Sequence, residues 1–173
     1  VSSAIGGIFA DVMNVANPQA VQFAKDILTE IMDIFPGEYI HIGGDECPTS
    51  AWENNAQCIA RKQELGLSSF RELQSVFIQE MAEHVKANHR KLSVWNEAIT
   101  ASGANVQTIA NTGATVYCWV GADAAVAKAA SLGLDHIYTP QIPFYINRKQ
   151  STDPGEPVGA GNGTDNLEAV YKQ

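Results

Sequence analysis

Tyr39-Ile40-His41-Ile42-Gly43-Gly44-Asp45-Glu46 begins with an apolar, β-branched half that reads as a short strand, then two glycines, then two acids. Along a strand, neighbouring side chains point to opposite faces. Asp45 and Glu46 can therefore serve one ligand only where the strand is ending and the chain is turning. The same punctuation recurs outward from this stretch. Lys91-Leu92-Ser93-Val94-Trp95 reads as a second strand and runs into Asn96 and Glu97. Thr115-Val116-Tyr117-Cys118-Trp119 reads as a third and Asp135-His136-Ile137-Tyr138-Thr139 as a fourth. A Pro- and Gly-rich loop over 140–162 follows and carries Tyr145 and Asn147.

Helical patterns separate these strands. Asn17-Pro18 is a helix start, with Asn as cap and Pro in the first turn. Phe23, Ile27, Leu28, Ile31 and Phe35 give that helix one apolar face, and Pro36-Gly37 ends it. A helix is expected from about Trp52 to Leu65, stopped by Gly66. Ser69-Phe70-Arg71-Glu72 is a capping box, and Phe70, Leu73, Phe77, Met81 and Val85 supply the core face of the helix behind it. A short helix spans 106–111 and closes on Gly113. Asp123 can cap an alanine-rich helix to Leu132, with Gly133 as its stop. Asp165 and Asn166 could begin one more helix. At the other end, Gly6-Gly7 reads as a loop and Ile8 to Val12 as a strand remnant.

Strand–helix alternation implies parallel strands joined by right-handed crossovers. Polar or aromatic residues stand just past each strand end, which is how a (β/α)8 barrel assembles a site. A complete barrel takes roughly 250 residues. The 173 residues here hold about four units, so the expected fold is α/β, a partial TIM barrel forming a single domain over 1–173.

Composition narrows the function. The chain is 45% hydrophobic with a net charge of -8. Phosphate binding needs a basic face, so nucleic acid is an unsuitable partner, and acidic membrane surfaces are equally unfavourable. No apolar run approaches the roughly 20 residues that cross a bilayer. From Val1 onward no charged segment precedes an apolar one, so no signal peptide is visible. Cys47, Cys58 and Cys118 are an odd set. They read as free thiols, or as a Cys47–Cys58 bridge in an oxidising compartment. No Cys or His pair has metal-ligand spacing, and neither metal nor cofactor is expected.

His41-Ile42-Gly43-Gly44-Asp45-Glu46 resembles the His-x-Gly-Gly-Asp-Glu signature of the family-20 glycoside hydrolases, the β-N-acetylhexosaminidases. A helix opened by Asn-Pro and closed by Phe-Pro precedes it, as in that family. Val94-Trp95-Asn96-Glu97, Trp119 within Tyr-Cys-Trp-Val-Gly, Tyr145-Ile146-Asn147 and Asn166-Leu167-Glu168-Ala169-Val170-Tyr171 follow in the family's order. The resemblance covers roughly 14–171 and matches the fourth to seventh barrel strands. It leaves outside the stretch an arginine that grips sugar hydroxyls, further acidic and histidine groups, and a tryptophan of the last strand.

The resemblance implies hydrolysis of terminal N-acetylglucosamine or N-acetylgalactosamine from β-linked glycans. It also implies a parent enzyme that is secreted, periplasmic or lysosomal-like. In such enzymes the substrate's 2-acetamido oxygen is the nucleophile, unlike the usual carboxylate pair. Glu46 would be the general acid and Asp45 would hold the acetamido N–H. Adjacent carboxylates do not ionise independently, which suits an acid that must keep its proton near neutral pH. Trp95 and Trp119 would wall the acetamido pocket, or pack as core. Tyr145 would hydrogen-bond the acetamido carbonyl, or pack locally. Glu97 would contact sugar hydroxyls or pair with a neighbouring strand. Many relatives carry Asp where this chain has Asn147, so a charge on the sugar hydroxyls is absent. His41 is expected to be a buried, hydrogen-bonded support, while His84, His89 and His136 are structural or solvent-facing.

Two other readings compete: a non-catalytic carbohydrate-binding or structural module, and a metal-dependent enzyme with His41, Asp45 and Glu46 as ligands. Half a barrel has two open edges, so the stretch alone is expected to have little or no activity and to cap its edges with loops or self-associate. Asn162-Gly163-Thr164 matches a glycosylation sequon, within a loop expected to be a flexible rim.

Overall fold

The computed structural model describes residues 8–161, 163–165 and 167–172. Gly6-Gly7, Asn162 and Asn166 lie outside them. Four strands, β1 (Tyr39–His41), β2 (Lys91–Trp95), β3 (Thr115–Cys118) and β4 (His136–Tyr138), form one sheet in that order. All neighbours are parallel, with Ile40 opposite Leu92, Val94 opposite Val116 and Tyr117 opposite Ile137. Sequential parallel order with a helical crossover at each step is the arrangement of one side of a (β/α)8 barrel.

Alternation along the strands decides which face is covered. Ile40, Leu92, Val94, Val116 and Cys118 are buried and share one core with Ile78, Ile99, Ile109, Ala125 and Ala129 from the helices. Burying each large side chain contributes about 1.5–3 kcal/mol. The opposite face carries His41, Ser93, Trp95, Thr115 and Tyr117. Among the described residues, nothing pairs with the outer edge of β1 or β4. Tyr39 and His41 of β1 are exposed, as are all three residues of β4.

The helices follow local chemistry. Asn17 caps α1 (Pro18–Ile34) by accepting from the Gln19 amide. Ser69 and Glu72 form the reciprocal box ahead of α4 (Arg71–Ala87). Ser69 Oγ accepts from Glu72 N at 3.3 Å and Glu72 Oε1 accepts from Ser69 N at 3.2 Å. Asn105 caps α6 (Val106–Thr112), and Gly113 closes it in a left-handed conformation.

Several expectations are corrected. On α1 the buried residues are Val21 and Met32, whereas Phe23, Ile27 and Phe35 are 64%, 45% and 57% exposed. The helix packs on α4 by its other flank, through Thr29 Oγ1 to His84 Nε2 at 2.9 Å and Lys25 to Glu80 at 3.6 Å. Beside an edge strand, one flank of the helix has nothing among the described residues to pack on. The helix expected over 52–65 is two: α2 (Ser50–Glu53) and α3 (Ala56–Glu64). Asn55 breaks the run by capping α3, accepting from the Gln57 and Cys58 amides. Asp123 does not cap α7 (Ala122–Ser131). Gly121 holds that position, and the Asp123 carboxylate accepts from Tyr138 Oη at 3.0 Å.

Residues 8–12 are not a strand. The segment after them runs under α2 and α3, where Trp52 Nε1 donates to Met13 O and Cys58 Sγ to Asn14 Oδ1. Cys47, Cys58 and Cys118 are free thiols, so the Cys47–Cys58 bridge does not form.

After β4 come the short α8 (Gln141–Phe144), a long loop, and α9 (Leu167–Tyr171). Main-chain contacts hold parts of the loop together. Lys149 bridges Thr164, Lys149 O accepts from Asp165 N at 3.0 Å, and Asn147 O accepts from Ala160 N at 2.7 Å. A Cβ at Gly159 would stand 2.6 Å from Arg148 backbone atoms, so only glycine lets the two passes of chain close up.

Candidate active site

β1 delivers Asp45 and Glu46 through a turn with little conformational freedom. Gly43 and Gly44 have φ of 77° and 96°, and Glu46 has φ of 45°. The first two values suit glycine alone, and the third is uncommon for a residue with a side chain. Three contacts hold the turn. The Gly43 amide donates to His41 Nδ1 at 3.1 Å, and the Gly43 carbonyl accepts from Trp95 N at 2.8 Å. The Gly44 carbonyl accepts from Gln74 Nε2 at 3.1 Å. Asp45 is left half-buried and Glu46 exposed.

His41 is hydrogen-bonded, as expected, but its ring is not enclosed: the residue is exposed on the open face of the sheet. Since Nδ1 accepts, the ring proton of the neutral form sits on Nε2. Desolvation against its neighbours lowers the imidazole below its ordinary 6.5, with the Asp45 charge opposing.

From His41 a run of rings crosses the strand ends. His41 meets Trp95 at 4.7 Å and Tyr117 at 4.9 Å between centroids. Trp95 meets Trp119 at 6.3 Å. Trp119 stacks on Tyr145 at 6.1 Å with 12° between planes. Burial first, then the charges of Asp45, Glu97 and Glu46, push the Tyr145 phenol above its ordinary 10.0. The phenol therefore lies in the field of all three acids.

Glu97, in α5 (Glu97–Thr100), accepts from Trp119 Nε1 at 2.7 Å and so pairs with the neighbouring strand end. Asn147 is exposed. Among the described residues, no group of three or more His, Cys, Asp and Glu side chains could hold a metal ion.

Three groups carry more of this geometry than the sequence suggested. Asn96 is fully buried. Its Oδ1 accepts from Trp119 N at 2.9 Å, and its Nδ2 donates to Val120 O at 3.0 Å and Thr100 Oγ1 at 3.2 Å. It continues the β2–β3 ladder past the strands and fixes the backbone under Trp119. Asn96→Leu should lower unfolding free energy by about 2–3 kcal/mol, because main-chain groups are left buried and unpaired. Denaturant melts of wild type and variant measure this, and a loss below about 0.5 kcal/mol would contradict it. Tyr117 extends the ring cluster, and its register on the face of β3 opposite the core was the available signal. Gln74 was detectable as a polar residue on the apolar face of α4, one position after Leu73.

A cavity of about 180 Å³ lies beside the turn, lined by Val12, Ile42, Asp45, Cys47, Gln74 and Ile78 among others. Burial pushes the Cys47 thiol up, with Arg71 opposing.

Parallel strand–helix units with acids and indoles gathered at the strand ends define the class as one side of a (β/α)8 barrel with a candidate site at its strand ends. The model of the glycosyl hydrolase family 20 catalytic domain matches residues 2–173, and the chain belongs to that family. It is 34% identical to a β-hexosaminidase of Porphyromonas gingivalis over 168 residues, 96% of this chain and 20% of that protein. It is 29% identical to a β-hexosaminidase of Vibrio furnissii, covering 94% of this chain and 25% of the relative. Among solved structures, the family-20 exo-β-N-acetylglucosaminidase of Vibrio harveyi in complex with N-acetylglucosamine superposes with a TM-score of 0.81. It shares 28% identity, covering 94% of this chain and 24% of that one. The chain thus spans about a fifth to a quarter of the length of these relatives.

Proposed function

We propose that the protein of which this chain forms the acid-bearing side removes terminal non-reducing N-acetylhexosamine from β-linked glycans, with retention of configuration. One observation carries the reading: the turn that bears Asp45 and Glu46 is joined to the Trp95–Trp119–Tyr145 wall, through the Trp95 N–H to Gly43 carbonyl bond at 2.8 Å and the His41–Trp95 ring contact at 4.7 Å. Acids alone at a strand end could be a solvated turn. Acids facing stacked aromatic faces suit a sugar carrying an apolar acetyl group.

Glu46 gives its proton to the leaving glycosidic oxygen as the C1–O bond breaks. The acetamido carbonyl oxygen attacks C1 and closes an oxazolinium ring. Asp45 holds the acetamido N–H and balances the positive charge. The Glu46 carboxylate then takes a proton from water, whose oxygen attacks C1 and opens the ring. Two displacements at C1 restore the starting configuration. Trp95 and Trp119 enclose the acetyl group, and the Tyr145 hydroxyl donates to its carbonyl oxygen. The second oxygen of Glu97 and the Asn147 amide are available to sugar hydroxyls, and His41 supports the turn.

Four strands leave the pocket open opposite the wall, so the stretch alone should turn over little or no substrate. The test uses the full-length protein, a 4-nitrophenyl N-acetyl-β-glucosaminide, and a thiazoline mimic of the oxazolinium ring. Hydrolysis that the thiazoline inhibits competitively, and that persists in chelator, supports the reading. Thiazoline binding without turnover would favour a non-catalytic module. Loss of activity in chelator would favour a metal enzyme.

A further inference from the structure

The turn that carries the acids is clamped from outside the sheet by one buried amide, and we infer that Gln74 is a positioning residue for Asp45 and Glu46. The inference rests on the proposed hydrolase reading for its kinetic consequence, but not for its structural one.

Gln74 is 7% exposed in the first half of α4. A buried amide lowers stability unless both its ends are paired. Here both are. Nε2 donates to the Gly44 carbonyl at 3.1 Å, and Oε1 accepts from Arg71 Nη1 at 2.8 Å. Arg71 can only donate, so it fixes which end of the amide faces the turn. Arg71, Gln74 and Ile78 are spaced three and four apart and share one helix face. Ile78 Cδ1 would lie 3.7 Å from a Cβ at Gly44, so the same face also packs against the turn.

The target of the hydrogen bond matters. The Gly44 carbonyl belongs to the peptide plane whose other end is the Asp45 amide. A peptide is rigid, so holding that oxygen sets the direction in which Asp45 leaves the plane. Glycines at 43 and 44 otherwise permit that plane to rotate. Glu46, at φ of 45°, depends on the same plane through Asp45. The sheet fixes the turn only as far as Gly43, through Trp95 N and His41 Nδ1. Gln74 supplies the next anchor, immediately before the acids.

The alternative is a satisfied polar side chain with no bearing on the site. Two variants of the full-length protein separate these. Gln74→Leu removes both amide ends beside an already apolar cavity. Gln74→Glu keeps the shape and the partner Arg71 but has no N–H to give Gly44. Both should lower kcat by roughly 10- to 100-fold with KM changed less than about threefold, since a displacement near 1 Å can have that effect. Amide hydrogen exchange over 43–46 should quicken at least tenfold in both, with α4 unchanged.

Wild-type kcat and wild-type exchange in both variants would overturn the inference. So would a uniform loss of protection across α4 and the turn, which is the mark of a merely structural role. If the wild type hydrolyses no N-acetylhexosaminide, the proposed function fails. Exchange over 43–46 then decides the positioning role by itself.

Discussion

Glu46→Gln in the full-length protein should lower kcat/KM for an alkyl or sugar N-acetyl-β-hexosaminide by about 10²–10⁴-fold, the range general-acid help supplies. The substitution keeps size and hydrogen bonding but removes the proton that the leaving oxygen needs. Its signature is dependence on the leaving group. A dinitrophenolate departs without protonation, so the first step with that substrate should be nearly as fast as in wild type. The second step still needs the Glu46 carboxylate to activate water, so a burst followed by slow turnover is expected. Because Glu46 is exposed on the turn, stability should be unaffected. A uniform loss over all leaving groups, or none, would remove Glu46 from the acid role.

Asp45→Asn should produce the second large effect, about 10²–10³-fold in kcat, comparable to removing one preorganised group that stabilises developing charge. The carboxylate accepts the acetamido N–H and so makes the carbonyl oxygen a better nucleophile. An Asn oxygen still accepts but carries no charge to balance the oxazolinium. Activity should therefore become less sensitive to fluorination of the acetyl group than in wild type, because without that charge the acetamido oxygen does less of the bond-making at C1 in the transition state. Unchanged sensitivity, or unchanged kcat, would assign Asp45 elsewhere. In the Gln74 variants the same loss appears indirectly, through the backbone that aims the two acids.

The strands and their order were legible because period-two alternation, capping residues and glycine stops agree along this chain. Val94 and Val116 point to the core as alternation requires, and Gly113 and Gly133 follow their helices in left-handed conformations. The exposed flank of α1 was not legible. Phe23 and Ile27 satisfy helical period as well as Val21 and Met32 do, and only the position of β1 at the sheet edge decides which flank is covered. The split at Asn55 and the capping by Gly121 were missed because Asn, Asp and Gly all stop or start helices, and spacing alone does not rank them.

Around the site, motif order gave the acids and indoles, while their couplings came from tertiary contact. Nothing local in Glu97 points to the Trp119 nitrogen 22 residues away. Nor does Gln74 announce a carbonyl 30 residues upstream.

The most direct test compares two substrates of the full-length protein that differ in one group: a 4-nitrophenyl β-glycoside of N-acetylglucosamine and the same glycoside of glucose. If the acetamido oxygen is the nucleophile that Asp45 steers, the glucoside lacks a reactant rather than a contact. Its kcat/KM should be lower by at least about 10³-fold, as expected when an intramolecular nucleophile is removed. Turnover of the glucoside within tenfold of the N-acetyl compound would contradict substrate-assisted hydrolysis at this turn.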